Sequence, residues 1–318
     1  MNSQPEWMQW LNQAPAPADS EAKTPTAAVV PLRGAAPAVP GGDPVTEPTP
    51  NPEQPHPKPA RAPHPAPVWP QQAVRPAPVV LVTGAGGGAG ATTTAVGIAG
   101  AWAIEETASA AVVDLTVAGG DLGARTGTDD KAPAIETIAD ADDPAAIVAS
   151  LPVSSAGARI IDRGELRFDD LPVQQVAEIL RPRVDTVVYD LGPDALRLRE
   201  CTTLREDTEA VFVLVVQARA DSFNRLRGYL DLLGQAAGNE VFDRTVVVIS
   251  HQNSAEPDVD PAELIAHVSA VVRAVEEVPY DPHLATGVAI ASWELRAATV
   301  DAYARIQRAT SAVQGRDR

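Results

Sequence analysis

Residues 79–95, VVLVTGAGGGAGATTTA, contain the strongest candidate binding site in the chain. Residues 79–82 are apolar and mostly β-branched, which predicts a buried strand. Glycine occupies five of the seven positions 84–90, and Thr92 and Thr93 begin an apolar segment that predicts a helix. A strand, a glycine-rich turn and a helix N-terminus favour phosphate, because converging backbone N–H groups and the helix dipole attract anions. A flexible turn would have the same composition, so the loop alone is a weak signal.

Two phosphate-binding patterns compete for this loop. When the end of the ATPase P-loop motif, G-x-x-x-x-G-K-[ST], is aligned with residues 90–92, Ala91 occupies the position of its lysine. Ala85 then occupies the position of its first glycine. The T-G-x-x-x-G-x-G turn of short-chain dehydrogenases matches residues 83–90. Those enzymes also need a Tyr-x-x-x-Lys pair, and no tyrosine of residues 77–318 has a lysine four positions later. Nucleotide or NAD binding without catalysis therefore stays open.

Apolar strands alternate with amphipathic helices from residue 79 onward. The sequence predicts strands at 79–83, 110–114, 158–162, 186–191, 210–216, 245–250 and 273–278, and helices at 92–106, 144–150, 171–180, 195–205, 222–237, 261–270 and 293–313. This alternation predicts an α/β fold with a doubly wound, mostly parallel sheet and helices on both faces. Ligands of such sheets bind at the carboxyl ends of the strands.

Two predicted strands end in aspartate. Asp114 lies in VVDLTVAGGDLG and Asp190 in TVVYDLGP. An apolar strand ending in aspartate is typical of the metal-side carboxylate of a P-loop NTPase, with Thr92 as the hydroxyl ligand. Aspartate is also a common cap or turn residue after a strand, which is the alternative. The five histidines show no metal-ligand spacing, so the only metal expected is nucleotide-bound magnesium.

The order GAGGGAGATTTA, VVDLTVAGGDLG, TVVYDLGP, VFVLVVQARAD, VPYDPHLATG resembles the MinD/ParA superfamily of deviant P-loop ATPases. It is most similar to the CpaE/TadZ-like branch and its actinobacterial septum-site or secretion-linked relatives, over about residues 77–310. The resemblance implies a P-loop NTPase-like fold, ATP or ADP with Mg²⁺, a homodimer, and a role in positioning assemblies at a pole, septum, secretion or conjugation site. It implies nucleotide contacts from Gly86, Gly87, Gly88, Ala89, Gly90, Ala91, Thr92, Thr93, Asp114, Asp190, Pro279 and Asp281, with Thr92, Asp114 and Asp190 on the metal.

Three charges of the MinD/ParA pattern are missing. That pattern has a lysine after the last glycine, where this chain has Ala91, and a signature lysine before the glycine pair, where it has Gly86. It also has two aspartates two positions apart, and Thr116 stands in place of the second. Charge stabilisation is usually the largest catalytic term, so losing both lysines should cost several kcal/mol of it. We expect nucleotide binding through backbone amides with weak or no hydrolysis. The alternatives are a slow, active ATPase of the partition type and a nucleotide-independent structural adaptor.

Residues 1–76 differ in composition from residues 77–318, which form the predicted nucleotide-binding domain. They contain 19 of the 30 prolines and few large apolar residues, so we expect a disordered or polyproline-like tail. The tip is the exception, because two tryptophans, a methionine and a leucine lie close together there. Met8 and Leu11 share a helix face with Trp7, which predicts a partner-binding anchor made of these three, with Trp10 at its rim.

Charge and composition exclude several classes of partner. Residues 77–318 hold 36 acidic and 20 basic residues, a net charge of −16, so a nucleic-acid partner is not expected. The closing helix is not strongly basic and amphipathic, so no direct membrane anchor is expected. The single cysteine, Cys201, excludes an internal disulfide, and no apolar run has the length of a membrane span. We expect a cytoplasmic protein, with recruitment to a membrane-associated assembly left open.

Overall fold

The computed structural model describes residues 77–105, 108–117, 121–128, 132–193, 207–252 and 260–311. The predicted tail, its tip and the predicted helix at 195–205 lie outside these ranges. Within them, no helix has the length and apolar character needed to cross a membrane.

Seven strands form one sheet, and every neighbouring pair is parallel. They are β1 (Val79–Gly84), β2 (Ala110–Asp114), β3 (Arg159–Ile161), β4 (Thr186–Asp190), β5 (Val211–Gln217), β6 (Thr245–Ser250) and β7 (Ala274–Val278), in the spatial order β3-β2-β4-β1-β5-β6-β7. The strand bounds lie within one residue of those predicted. The predicted doubly wound α/β fold is confirmed.

The position of β1 separates the two phosphate-binding alternatives. β1 lies between β4 and β5. In the common dinucleotide-binding order, 3-2-1-4-5-6, the first two strands are direct neighbours, and the aspartate after the second can therefore reach the ribose. Here β4 separates β2 from β1, so the strand order weighs against the NAD-binding alternative.

Nine α-helices occur in the described ranges. They are α1 (Ala91–Glu105), α2 (Leu122–Thr126), α3 (Ile135–Ala139), α4 (Pro144–Ser150), α5 (Val173–Leu180), α6 (Ala220–Ala237), α7 (Ala262–Val268), α8 (Pro282–Ala285) and α9 (Ala297–Ser311). The sequence did not predict α2, α3 and α8, because four or five residues are too few to show helical periodicity. The predicted start of α9 at 293 was wrong, since residues 292–294 form a separate 3-10 turn and Leu295 is extended.

Alternate residues of the strands face two apolar layers. Val80 and Val82 of β1 belong to the layer that includes α1 and α9, whereas Val79 and Leu81 belong to the layer that includes α3 and α5. On that second side, β5 and β6 are covered by α6 and α7. Burial on both faces explains why the strands are continuously apolar in sequence.

A close contact joins α1 to α9. A Cβ atom added at Gly97 of α1 would lie 2.4 Å from ring carbons of Tyr303 on α9. Because no real side chain tolerates that distance, glycine is required here for α9 to pack on α1. The contact fixes the helix whose N-terminus follows the glycine-rich turn.

Candidate functional site: a glycine turn beside two buried carboxylates

The glycine-rich turn occupies residues 85–90, between the end of β1 and the start of α1. Gly86, Gly88 and Gly90 have φ angles of +121°, +73° and +92°, a backbone region that other residues rarely adopt. The N–H of Thr94 donates to the carbonyl of Gly90 at 2.8 Å, so the amides just before it lack an intrahelical acceptor. The turn therefore presents free backbone donors at the positive end of a helix dipole, as a phosphate site requires.

Both neighbouring strands hold the base of this turn. The N–H of Gly84 and the hydroxyl of Thr83 donate to the carbonyl of Gly192, just after β4, at 2.9 and 3.2 Å. The N–H of Ala85 donates to the carbonyl of Val215 on β5 at 2.7 Å. The turn is thus fixed before any ligand binds.

The structure brings the two predicted carboxylates side by side at the same edge. Asp114 of β2 pairs in register with Asp190 of β4. Asp114 is buried, and one of its oxygens accepts the N–H of Thr116 at 2.7 Å. Asp190 is completely buried, and its Oδ1 accepts the N–H of Gly192 at 2.9 Å. The register of two apolar strands is what places these groups together.

Asp190 is electrostatically perturbed. Burial raises its pKa to about 7, and the nearby Asp114 carboxylate adds to the rise, while the Thr92 hydroxyl and the Gly192 amide oppose it. Its Oδ2 is buried without a well-formed hydrogen bond to any described residue. Asp190 is therefore a buried carboxyl group whose lost hydration is not fully replaced by hydrogen bonds.

These groups fit a magnesium ion bound together with phosphate. Mg²⁺ prefers oxygen ligands and commonly takes only one or two carboxylates, with substrate phosphates completing its shell. Asp190, Asp114 and the Thr92 hydroxyl supply such oxygens, and the incompletely paired Oδ2 of Asp190 gives a reason for a cation here. No group of three or more His, Cys, Asp or Glu side chains suited to a metal was found in the described ranges. A phosphate ligand would therefore have to supply part of the shell.

Three side chains that the sequence did not single out for this site lie over the turn. Gln217, at the end of β5, donates from Nε2 to the carbonyl of Gly88. Gln252 follows β6, and its Nε2 lies 2.4 Å from where a Cβ of Gly90 would be. Arg225 of α6 donates from Nη1 to the carbonyl of Ala85 at 3.3 Å. Gln217 and Gln252 could have been found as strand-end residues, whereas Arg225 carries no such signal.

The two predicted residues after β7 lie in a different setting. Pro279 directly follows β7 and is half-buried. Asp281 is buried, and its two oxygens accept the N–H groups of His283 and Arg296, each at 2.9 Å. Burial alone would raise the pKa of Asp281, but these donors and the Thr299 hydroxyl outweigh it and lower that pKa. Asp281 thus caps α8 and fixes the approach to α9, while its nucleotide contact stays a prediction.

A buried arginine connects α1 with two other segments of this edge. Arg125 of α2 donates from Nη2 to the hydroxyl of Thr93 and the carbonyl of Leu284, both at 3.2 Å. Its Nη1 donates to the carbonyl of Val288 at 2.8 Å. Burial lowers the pKa of Arg125, and the Asp121 carboxylate partly opposes that effect. The guanidinium therefore braces the first turn of α1 from the side.

Comparisons with known proteins support the fold. No protein-family model and no curated protein matches the sequence. Among solved structures, a ParA family ATPase from Chlorobium tepidum TLS matches with a TM-score of 0.56 and 15% identity over 73% of this chain and 98% of that one. The septum site-determining protein MinD from Pyrococcus horikoshii OT3, complexed with Mg-ADP, matches with a TM-score of 0.53 and 15% identity over 75% of this chain and 97% of that one. A chain of the MinC:MinD cell division protein complex from Aquifex aeolicus matches with a TM-score of 0.51 and 17% identity over 73% of this chain and 96% of that one. These matches confirm the expected P-loop NTPase-like α/β fold.

Proposed function

We propose that this chain is a MinD/ParA-like nucleotide-binding protein that positions or regulates a larger assembly, with weak or no hydrolysis. The observation that best supports ATP or ADP with Mg²⁺ as its ligand is the glycine turn beside Asp190, whose buried Oδ2 lacks a well-formed hydrogen bond. The fold shared with a MinD solved with Mg-ADP supports the same ligand.

Each part of the site has a role in this proposal. The backbone N–H groups of residues 86–93 would donate to the phosphate oxygens, except that of Ala89, which donates to the carbonyl of Gly86 at 3.3 Å. Thr92, Asp114 and Asp190 would hold the magnesium ion, which when bound neutralises phosphate charge. Pro279 would lie beside the base, because its strand ends at the same edge of the sheet. Asp281 would contribute to the nucleotide site indirectly, by fixing the turn that it caps.

Weak hydrolysis follows from the absence of charge on the turn itself. Ala91 and Gly86 provide no cation, and Thr116 stands in place of an aspartate. A transferring phosphoryl group needs fixed positive charge around it, and backbone amides supply only part of that. We assign the chain to the CpaE/TadZ-like branch, with a degenerate phosphate loop, on these residues and on the resemblance of its motifs.

Calorimetric titration with ATP, ADP and NAD, each with and without Mg²⁺, tests the proposed ligand. Gly88→Val should abolish binding, because it places a branched side chain in the turn at a φ of +73°. Gly238→Val is the matched control: Gly238 has a φ of +79°, no atom within 4 Å of an added Cβ, and a position after α6 far from the turn in sequence. Wild-type protein that binds none of the three ligands would instead support a nucleotide-independent adaptor.

The proposed partners are proteins and a second copy of the chain. The MinC:MinD complex shows that a protein with this fold can act with a protein partner. We propose that Trp7, Met8 and Leu11, with Trp10 at the rim, bind such a partner through a groove. A flexible tail would keep the folded domain at high effective concentration near that client. Light scattering with and without nucleotide would test the homodimer.

A further inference from the structure

The phosphate turn is neutral, but a cation from another helix lies against it. Residues 84–94 are all glycine, alanine or threonine. The Nη1 of Arg225 lies 2.3 Å from the position that a Cβ of Gly86 would take. The guanidinium of Arg225 therefore occupies the space where a side chain at position 86 would begin. A side chain at position 86 would displace this guanidinium from the turn.

Arg225 is oriented toward the turn by its own helix. Its Nη2 forms an ion pair with the carboxylate of Asp221, one helical turn earlier, and its Nε donates to the carbonyl of Asp221 at 3.2 Å. Its Nη1 points the other way, to the carbonyl of Ala85. Its side chain remains 47% exposed, so a ligand in the turn could reach it. A guanidinium is planar and rigid, so fixing one edge also aims the other.

Two neutral donors extend this arrangement along the turn. Gln217 contacts Gly88, and Gln252 lies over Gly90, where its Nε2 also donates to the hydroxyl of Ser250. The three positive-φ glycines are thus each faced by an N–H-bearing side chain from α6, β5 or the end of β6. Donors without negative charge are the groups that bind phosphate oxygens.

We propose that Arg225 supplies the positive charge for the nucleotide phosphates at this site, from α6, with Gln217 as a neutral second donor. The inference rests on the proposed nucleotide-binding function and adds a residue to it. A guanidinium beside the turn can donate two parallel hydrogen bonds to phosphate oxygens, which a backbone amide cannot do alone.

Calorimetry with Mg-ATP on four variants of the full chain tests the inference. Arg225→Ala and Arg225→Gln should each weaken ATP binding roughly 10- to 100-fold, the range for losing a charge-assisted hydrogen bond. Arg225→Lys should bind ATP more tightly than Arg225→Ala but less tightly than wild type, because it keeps the charge while losing the fork. Arg227→Ala is the control, since Arg227 is on the same helix and forms an ion pair with Asp231.

Three results would overturn the inference. Arg225→Gln with wild-type affinity would show that the charge is not used. Arg225→Lys as weak as Arg225→Ala would show that positive charge is not what Arg225 contributes. An equal loss in Arg227→Ala would indicate a general effect of charge on α6. Thermal unfolding of each variant reports whether the fold is intact. If wild-type protein fails to bind ATP, the proposed function falls together with the inference, whereas binding that ignores Arg225 removes the inference alone.

Discussion

Replacing Asp190 by asparagine should stabilise the apo protein at alkaline pH. Asparagine has nearly the same shape as a protonated aspartic acid and can still accept the N–H of Gly192 through Oδ1. It removes only the negative charge that the buried site disfavours. The structural reason is the complete burial of Asp190 beside Asp114, with a pKa raised to about 7.

The size and sign of the effect follow from proton linkage. The folded protein holds the proton on Asp190 more tightly than the unfolded chain does, so wild-type stability falls as pH rises from about 4 to about 7. A rise in pKa from 3.8 to about 7 corresponds to a loss of about 4 kcal/mol, of which about 3 kcal/mol falls between pH 5 and pH 8. Asp190→Asn has no such loss.

Urea denaturation at pH 5 and pH 8 measures this difference. The stability advantage of Asp190→Asn over wild type should grow by about 3 kcal/mol between the two pH values. Asp140→Asn is the control, because Asp140 is exposed at the end of α3. An advantage of Asp190→Asn that is the same at both pH values would refute the assignment of a raised pKa to Asp190.

Three further predictions concern bracing, turnover and partners. Arg125→Met should cost about 2–4 kcal/mol of stability in urea denaturation, because the buried carbonyl of Leu284 and the hydroxyl of Thr93 lose their donor. A loss below about 1 kcal/mol would contradict the bracing role. Phosphate release by the wild-type protein from Mg-ATP should be near background, and robust turnover would show this prediction wrong. Ala91→Lys should raise nucleotide affinity if the turn has P-loop geometry. Deleting residues 1–12 should lose protein partners in pull-downs, and equal recovery by both proteins would place the client site on the folded domain.

Most of the sheet could be predicted from sequence because its strands are short, apolar and bounded by clear turns. β2 and β6 match the predicted bounds, and each is buried along its whole length. The order of the strands in space could not be predicted from local pattern. It depends on which strands each crossover skips, and the insertion of β4 between β2 and β1 emerged only from the structure.

The candidate site was predictable where it depends on chain-local features. The glycine turn and the two strand-end aspartates follow from residue types at fixed places relative to strands. The contacts of Arg225 and Arg125 join positions about 140 and 160 residues apart in sequence, and no periodicity signals them. Asp281 illustrates the opposite case, because its motif was noticeable in sequence while its oxygens accept backbone N–H groups of α8 and residue 296.

The distribution of charge at this edge connects the proposals. The turn provides donors but no cation, while Asp114 and Asp190 face the same edge with up to two negative charges. A polyphosphate entering such a site would be repelled at short range, because buried charges are poorly screened. Protonation of Asp190 removes part of that repulsion, a magnesium ion between carboxylates and phosphates removes more, and Arg225 adds an attractive term from outside the turn. Nucleotide binding here therefore requires positive charge from outside the glycine turn.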